Sequence, residues 1–211
     1  MRRWGALIVG LLLTALPASA QLVPDNHDCF SDNVERRISG CSELIATPGI
    51  DQYILSQAYA MRALGRSLQG QYETAIRDYD QAIRIAPDFA VALNNRAWAY
   101  FKWGRGADGL ADVEKSLQLD PLSHHAYDTR AHILQALGDA TAALRDYERA
   151  MSFGGARFIK LYQCGLAMAK LYSGPTNGIY STEMRVALRA CIESASCDPL
   201  PPDEDCRPTT S

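Results

Sequence analysis

The sequence predicts an all-α protein, a short solenoid of about three helical hairpins with additional helical segments at both ends. The first ground is a repeat with a 34-residue period between residues 58 and 155. Four positions of the period recur in all three units: Gly70, Gly104 and Gly138; Ala75, Gly109 and Ala143; Arg62, Arg96 and Arg130; Asp78, Asp112 and Asp146. A unit of this length cannot bury its apolar face alone, so neighbouring units are expected to stack on one another.

The second ground is the helical spacing inside each unit. Small and apolar residues of the first unit recur at intervals that place them on one face of a helix, at Ala75, Ile76, Tyr79, Ala82 and Ile83. Pro87 and Pro121 follow two of the second helices, and proline cannot continue a helix. Each unit is therefore predicted to be a helix, a glycine turn and a second helix. The first helices are expected at about 55–68, 89–103 and 123–137.

Over residues 51–155, the period and its Gly, Ala, aromatic and Pro positions closely resemble the tetratricopeptide repeat (TPR). The third unit departs from the pattern, because Gly154 and Gly155 stand where proline is expected. The resemblance implies a concave surface, formed by the first helices, that binds a protein or peptide partner. It also implies which positions face that surface: Gln57, Ala60, Leu64, Ser67 and Leu68 in the first unit; Val91, Asn94, Trp98, Phe101 and Lys102 in the second; His125, Asp128, His132, Gln135 and Ala136 in the third.

The predicted groove combines two large aromatic rings, Trp98 and Phe101, with hydrogen-bonding side chains around them. Aromatic anchors with a polar rim are typical of protein interfaces. The alternative is that these rings pack against a C-terminal segment folded into the groove. His125, Asp128 and His132 share a helix face and are of the residue types that hold zinc or copper. Because no further ligand is identified on a second element, we interpret them as groove residues and predict no metal and no cofactor.

The repeated arginines and aspartates are predicted to form ion pairs. In every unit they lie 16 residues apart, which places them on the two facing helices of one hairpin, at Arg62 and Asp78, Arg96 and Asp112, and Arg130 and Asp146. A charge pair that recurs with the repeat indicates a structural role, fixing how one helix lies against the other. Whether such a pair adds net stability depends on the cost of removing both charges from water.

Residues 1–20 have the pattern of a secretory signal peptide. Arg2 and Arg3 precede an apolar run over 7–13, and a small-residue cleavage signal stands at 18–20. The run is shorter than the roughly 20 residues that span a bilayer, although a retained membrane anchor is the alternative. We therefore predict a bacterial periplasmic or secreted protein that begins at Gln21 and has no integral membrane span after removal of the signal.

The charge of the predicted mature chain argues against one class of partner. Removal of Arg2 and Arg3 leaves 19 Lys and Arg against 24 Asp and Glu, a net charge near −5. Nucleic-acid binding needs a basic footprint, so no nucleic acid is expected as a partner.

Residues 21–50 are predicted to cap the open end of the array. A helix is expected over 32–46, with an apolar stripe that needs cover, and Asp51 is the expected N-cap of the next helix. Terminal units of a solenoid must shield a core that would otherwise be open.

Residues 156–211 are predicted to form a separate helical module. Helices are expected over 157–171 and 181–194, around a turn rich in glycine, proline and asparagine, and an acidic, proline-rich tail follows. This segment resembles the small three-helix peptidoglycan-binding domain of bacteria. The matching residues are Tyr162, Gln163, Leu166, Tyr172, Gly174, Gly178, Tyr180, Ala187 and Leu188, and the departures are Asn177, Ser181, Met184 and Cys191.

The second resemblance implies peptidoglycan as an additional partner. The residues it implies for glycan contact are Tyr172, Gly174, Asn177, Gly178 and Tyr180. The alternative is that the two tyrosines belong to the core of the module and that the module only caps the array.

Six cysteines, all after residue 20, predict three disulfides in an exported protein. Six cysteines allow 15 pairings, but two lie near the N-terminus and four near the C-terminus. Clustering favours Cys29–Cys41. A Cys164–Cys191 bridge would replace the aromatic packing that Cys191 removes from the peptidoglycan-binding pattern, and Cys197–Cys206 would loop the tail back on itself. The alternative, a zinc site, is disfavoured because no C-x₂-C pair occurs.

The sequence contains no serine-hydrolase, zinc-protease, P-loop or dinucleotide-binding motif. We therefore predict an exported scaffold, not an enzyme, that binds another protein through its concave groove and is tethered to peptidoglycan by its C-terminal module. The alternative is a purely protein-binding adaptor whose C-terminal module is a structural cap.

Overall fold

The computed structural model describes residues 27–194, 197–200 and 206. The predicted signal peptide lies outside these residues. A single turn of 3-10 helix, His27–Phe30, precedes eight α-helices, and the described residues contain no strand. The helices are α1 (Val34–Ile45), α2 (Gln52–Leu68), α3 (Tyr72–Ile85), α4 (Ala90–Lys102), α5 (Gly106–Leu119), α6 (His124–Ala136), α7 (Ala140–Met168) and α8 (Thr182–Ile192).

The helices pair as the 34-residue period predicts. α2 packs on α3, α4 on α5 and α6 on α7, while α3 meets α4 and α5 meets α6 between units. α1 packs on α2 as the predicted cap, and Asp51 caps α2 by accepting hydrogen bonds from the backbone amides of Tyr53 and Ile54. The predicted fold class, a short solenoid of helical hairpins with a capping helix and a disulfide-stapled C-terminal region, is confirmed.

The repeated glycine makes the turn within each hairpin. Gly70, Gly104 and Gly138 have φ angles of 73°, 79° and 85°, in the left-handed region that side chains disfavour. The residue after each glycine donates its amide back into the preceding helix, for example Gln71 N to Arg66 O at 2.9 Å. This pattern satisfies carbonyls at the end of a helix that would otherwise lack a partner.

The repeated ion pairs join the two helices of each hairpin. Asp78 accepts from Arg62 Nε at 2.9 Å and from Nη2 at 2.8 Å. The equivalent Arg96–Asp112 and Arg130–Asp146 pairs have the same two-bond geometry, with distances from 2.6 to 3.0 Å. The predicted ion pairs between the two helices of each hairpin are therefore present, and their role in fixing one helix against the other stays a prediction.

The third unit leaves the repeat at Gly155. Its φ of 67° and ψ of −164° break α7 into two helical stretches, so a glycine in the left-handed region takes the place of the missing proline. α7 packs on α8, and Ser181 caps α8 through its side chain. A single cluster of buried side chains continues from Ala97 through α5, α6 and α7 to Ile192. The predicted C-terminal module therefore shares its core with the repeats.

Two of the three predicted disulfides are wrong. Cys29–Cys41 is present, but the C-terminal bridges are Cys164–Cys206 and Cys191–Cys197, in place of Cys164–Cys191 and Cys197–Cys206. Cys191 is fully buried near the end of α8, and the chain turns back within six residues to bring Cys197 to it. Cys164 lies half-buried on α7 and is left to pair with Cys206.

Candidate functional site

The first helices of the three hairpins line a cavity of about 660 Å³ on the concave surface. Among the positions that the TPR register places on this surface, Asn94, Trp98, Lys102, His125 and Asp128 line the cavity, whereas Gln57, Ala60, Ser67, Phe101, His132, Gln135 and Ala136 do not. Leu64, Leu68 and Val91 also line it, as the TPR register implies. Leu68 and Val91 are exposed over 62% and 59% of their surface, so the cavity has apolar side chains open to a partner.

An aromatic cluster forms the centre of the surface. The centroid of the Trp98 ring lies 5.1 Å from that of Phe101 and 5.3 Å from that of His132. The Trp98 and His132 rings meet edge to face. The Lys102 ammonium lies 5.5 Å from the centre of the Trp98 ring, within cation–π distance. Trp98 and Phe101 are both half-buried, so part of each ring stays accessible while the neighbouring rings fix its orientation.

Asn94 is buried but only partly satisfied. Its side chain is 8% exposed, and its amide nitrogen donates to Asn95 Oδ1 at 3.3 Å. Its carbonyl oxygen has no hydrogen-bond partner. An unpaired buried acceptor costs free energy, and a donor from a bound peptide would remove that cost.

A buried network of charged groups lies next to the aromatic cluster and is centred on two residues of α6. Asp128 and His132 are 6% and 4% exposed. Tyr162 donates its hydroxyl proton to Asp128 Oδ1. His132 Nδ1 lies 2.9 Å from the Asp128 carbonyl oxygen, and Nε2 lies 3.0 Å from Asp198 Oδ1. Both groups facing the ring nitrogens are acceptors, so the protonated imidazolium, which donates from both nitrogens, satisfies the geometry best.

The electrostatics of the network agree with this assignment. Burial lowers the pKa of His132, but the charges and hydrogen bonds of Asp128 and Asp198 outweigh it, so this pKa is raised above the usual 6.5. Burial raises the pKa of Asp128, against the charge of His132 and the hydrogen bond from Tyr162. Burial raises the pKa of Asp198, but the hydrogen bond and charge of His132, with the Leu200 amide and the Lys102 charge, together outweigh it, so this pKa is lowered.

The His132–Asp198 contact predicts a pH-dependent stability. A raised histidine pKa stabilises the folded state fully below pH 6.5 and loses its effect as the pH rises through the folded pKa. The lowered pKa of Asp198 stabilises above pH 3.8 and loses its effect as the pH falls. Because the Asp198 side chain is 48% exposed and solvent screens its charge, we expect Asp198→Asn to lower stability by at most about 1 kcal/mol at about pH 5–6, and by progressively less above pH 7. Thermal melts across this range measure it.

Asp88→Asn, which changes an exposed carboxylate, is the control for this pH series. A difference between wild type and Asp198→Asn that stays constant from pH 5 to pH 8 would contradict the charged His132 contact.

Two further predicted groove residues, His132 and Gln135, contact the C-terminal tail. Gln135 donates from Nε2 to the Cys197 carbonyl oxygen at 3.0 Å, while its own oxygen accepts from the Tyr147 hydroxyl at 2.7 Å. Asp198 and Leu200 line the cavity together with the helices. Sequence reasoning did not assign Asp198 and Leu200 to this surface, although it raised the alternative that a C-terminal segment enters the groove.

No group of three or more histidine, cysteine, aspartate or glutamate side chains is arranged to hold a metal ion within the described residues. His125, which the sequence places on one face with Asp128 and His132, is exposed. Its ring instead lies 4.0 Å from that of His124 and 5.9 Å from that of Phe158.

The residues implied for glycan contact make internal contacts. Tyr172 is 6% exposed and donates to the Pro175 carbonyl oxygen. Tyr180 donates to Glu148 at 2.8 Å. Asn177 accepts from Gln163 and from the Ile179 amide, and the amide of Gly178 donates to Gln163. Gly174 lies against the Tyr172 ring. These contacts hold the connection between α7 and α8 in place.

Comparison with known families supports the repeat assignment. Residues 68–104 match a family model described as TPR repeat, and residues 124–153 match one described as tetratricopeptide repeat. Solved structures of MamA share the fold. One has a TM-score of 0.50 at 16% identity, covering 57% of this chain and 68% of that one. A MamA RS-1 ArsTM double mutant has a TM-score of 0.55 at 14% identity, covering 69% and 79%. At these identities the likeness shows the fold alone.

Curated relatives match through parts of their length. The Hsp70-Hsp90 organizing protein of Triticum aestivum is 34% identical over 125 residues, 59% of this chain and 17% of that protein. Human serine/threonine-protein phosphatase 5 is 40% identical over 77 residues, 36% of this chain and 15% of that protein. The bovine tetratricopeptide repeat protein 36 is 32% identical over 103 residues, 47% and 55%. The chain thus spans less than a fifth of the first two relatives.

The family-model matches lie in repeat segments, and together with these relatives they support a scaffold for protein–protein interaction. No helix within the described residues is both long enough and apolar enough to cross a membrane.

Proposed function

We propose that this protein is an exported scaffold whose concave groove binds an extended segment of a protein partner. One observation carries the proposal. Asn94, whose buried carbonyl oxygen has no hydrogen-bond partner, lines the same cavity as the half-buried Trp98 ring. A peptide backbone amide would satisfy the first, and an apolar side chain of the same peptide would cover the second. Leu68 and Val91, both exposed, extend the apolar part of this surface.

The test is to remove the two groups separately. We expect Trp98→Ala and Asn94→Ala each to weaken the binding of a co-purifying protein partner by roughly 30-fold, equivalent to about 2 kcal/mol, as interface hot spots do. Titration of the purified partner measures the affinity, and circular dichroism with a thermal melt confirms that each variant is folded.

Trp103→Ala provides a matched control. Trp103 follows α4 directly and is 39% exposed, but it does not line the cavity, so its loss should leave the affinity unchanged. Equal binding by all three folded variants would place the partner site elsewhere. Loss of folding in Trp98→Ala would assign this ring to the core.

Two features support the export part of the proposal. Residues 1–20 have the composition of a signal peptide, and all six cysteines are paired in disulfides, which persist in oxidising compartments. The expected result is a mature protein that begins at Gln21 in a periplasmic or culture fraction, as intact-mass measurement would show. A full-length mass in the cytoplasmic fraction would contradict export.

Peptidoglycan as a second partner stays a prediction from sequence resemblance. The side chains of Tyr172 and Tyr180 already make internal hydrogen bonds. The concave groove therefore carries the proposed function.

A further inference from the structure

The C-terminal tail lies on the concave surface as a bound peptide would. We call residues 197–200 the strap. Its first carbonyl, on Cys197, accepts from Gln135, and its carboxylate, on Asp198, contacts His132 at 3.0 Å. Pro199 is fully buried. Leu200 packs against the main core cluster. The strap therefore places two acceptors, a proline ring and an aliphatic side chain on α6 and its neighbours.

Each group of the strap meets its chemical complement. His132 donates to the carboxylate, and the Lys102 ammonium further lowers the pKa of Asp198. Gln135 is held by Tyr147, so its amide points at the strap carbonyl. Proline has no backbone N–H, so its burial leaves no donor unsatisfied. The position has the features of a recognition site, not of a tail resting on a surface.

The strap also divides the groove. Leu200 borders the 660 Å³ cavity on one side. On its other side lies a second cavity of about 330 Å³, lined by His124, His125 and Phe158 among others. Because Leu200 lines both cavities together with His125, removal of the strap would take away part of the wall between them.

We propose that the strap is an intramolecular ligand of the groove, and that the external partner presents the same chemistry: an acidic residue, then proline, then an aliphatic residue in an extended segment. This inference rests on the proposed peptide-binding function and names the class of peptide. The Cys191–Cys197 bridge tethers the strap to the end of α8. A short tether gives an effective concentration on the order of millimolar, so an external peptide competes poorly until the strap leaves.

The test uses the full chain and the strap's own sequence. The probe is a fluorescein-labelled peptide of residues 196–203 with serine at position 197, SSDPLPPD. In the opened variant Cys191→Ser, Cys197→Ser and Asp198→Ala are combined, which removes the disulfide next to the strap and the strap carboxylate, while the Cys164–Cys206 bridge stays. We expect it to bind the probe at least 10-fold more tightly than wild type in fluorescence anisotropy. The peptide SSNPLPPD, which lacks the first carboxylate, should bind the opened variant several-fold more weakly.

The matched control combines Cys164→Ser with Cys206→Ser. It also removes one disulfide but keeps the Cys191–Cys197 bridge, so its affinity should equal that of wild type. Equal affinity of wild type and opened variant, no preference for the aspartate peptide, or an equal gain in the control would each overturn the proposal. Should the opened variant lose its cooperative melt, Asp198→Ala alone, with all bridges intact, decides: a gain of about threefold in probe affinity supports the strap, and no gain overturns it.

The outcomes separate this inference from the proposed function. Weakened partner binding by Trp98→Ala, with no gain in the opened variant, would retain the scaffold and reject the strap as its ligand. A gain in the opened variant, with partner binding insensitive to Trp98, would show a groove that recognises only its own tail.

Discussion

Gly109→Ala is expected to lower the free energy of unfolding by about 1–3 kcal/mol, because α4 and α5 leave no room for a β-carbon. A β-carbon at Gly109 would lie 2.8 Å from both the Cα and the carbonyl oxygen of Ala97. These are backbone atoms of the facing helix, so the helices themselves must separate. At roughly 2–4 °C per kcal/mol for a chain of this size, the thermal midpoint should fall by several degrees.

Gly106→Ala is the matched control in the same helix. Its β-carbon would meet the Phe101 ring at 3.5 Å, an ordinary contact. The chemical change is identical, so any gain in helix propensity acts in the same direction on both variants. Stability of Gly106→Ala should stay within about 0.5 kcal/mol of wild type. Equal melting temperatures for the two variants would mean that α4 and α5 are farther apart than described.

The repeat explains why the close approach at Gly109 was predictable. Ala75, Gly109 and Ala143 hold the same position of the 34-residue period, and all three lie where the two helices of a hairpin meet, fully buried in the case of the two alanines. The turn glycines and the Arg–Asp pairs were predictable for the same reason. Because each hairpin has the same geometry, it needs the same type of residue at the same position, and the sequence therefore shows that residue type three times.

The disulfide pairing and the strap were not predictable in this way. Both depend on where the tail after α8 lies in space. The tail occurs only once in the sequence, so it cannot be compared with a second copy as the repeat units can. Cys197 pairs with Cys191 because the chain turns back directly after α8, whereas the sequence shows only that four cysteines lie near one another. The same turn brings Asp198 to His132. The signal available was the even number of cysteines around this tail, which indicates attachment but not the point of attachment.

The groove contains residues of both kinds, those whose position follows from the repeat and those whose contacts depend on the tail. Asn94 and Trp98 line the cavity that the TPR register implies, because their positions follow from the repeat. His132 and Gln135 are on the expected helix but are engaged by the tail. The sequence alone could give their face of the helix but not the segment that covers it.

Asp78→Asn is expected to destabilise the protein by about 3 kcal/mol, since it removes the charge that compensates two arginines. The Asp78 side chain is 6% exposed, and that of Arg62 is 15% exposed. Arg66 adds a third contact to the same carboxylate at 2.6 Å. The asparagine is nearly the same size, so packing is preserved while the buried Arg62 charge loses its partner. Urea unfolding followed by circular dichroism measures the loss.

Glu73→Gln removes a carboxylate from the same helix at an exposed site. Glu73 and Arg77 pair at 2.5 Å, but their side chains are 67% and 60% exposed. Solvent-exposed pairs of this kind contribute little, so the change should be within about 0.5 kcal/mol. A similar loss for Asp78→Asn and Glu73→Gln would mean that burial does not distinguish the two pairs.

The double variant Asp78→Asn with Arg62→Met separates the worth of the pair from the cost of breaking it. Once Arg62 is replaced by an apolar side chain of similar length, the more buried of the two arginine charges is gone, and only the more exposed Arg66 lacks its partner. The double variant should therefore be more stable than Asp78→Asn alone, as replacement of whole buried ion pairs often is. That result would mean that the Arg–Asp pairs determine how the two helices align, while burial of apolar surface supplies most of the stability. A double variant that is less stable than either single change would show that the pair itself holds the hairpin together.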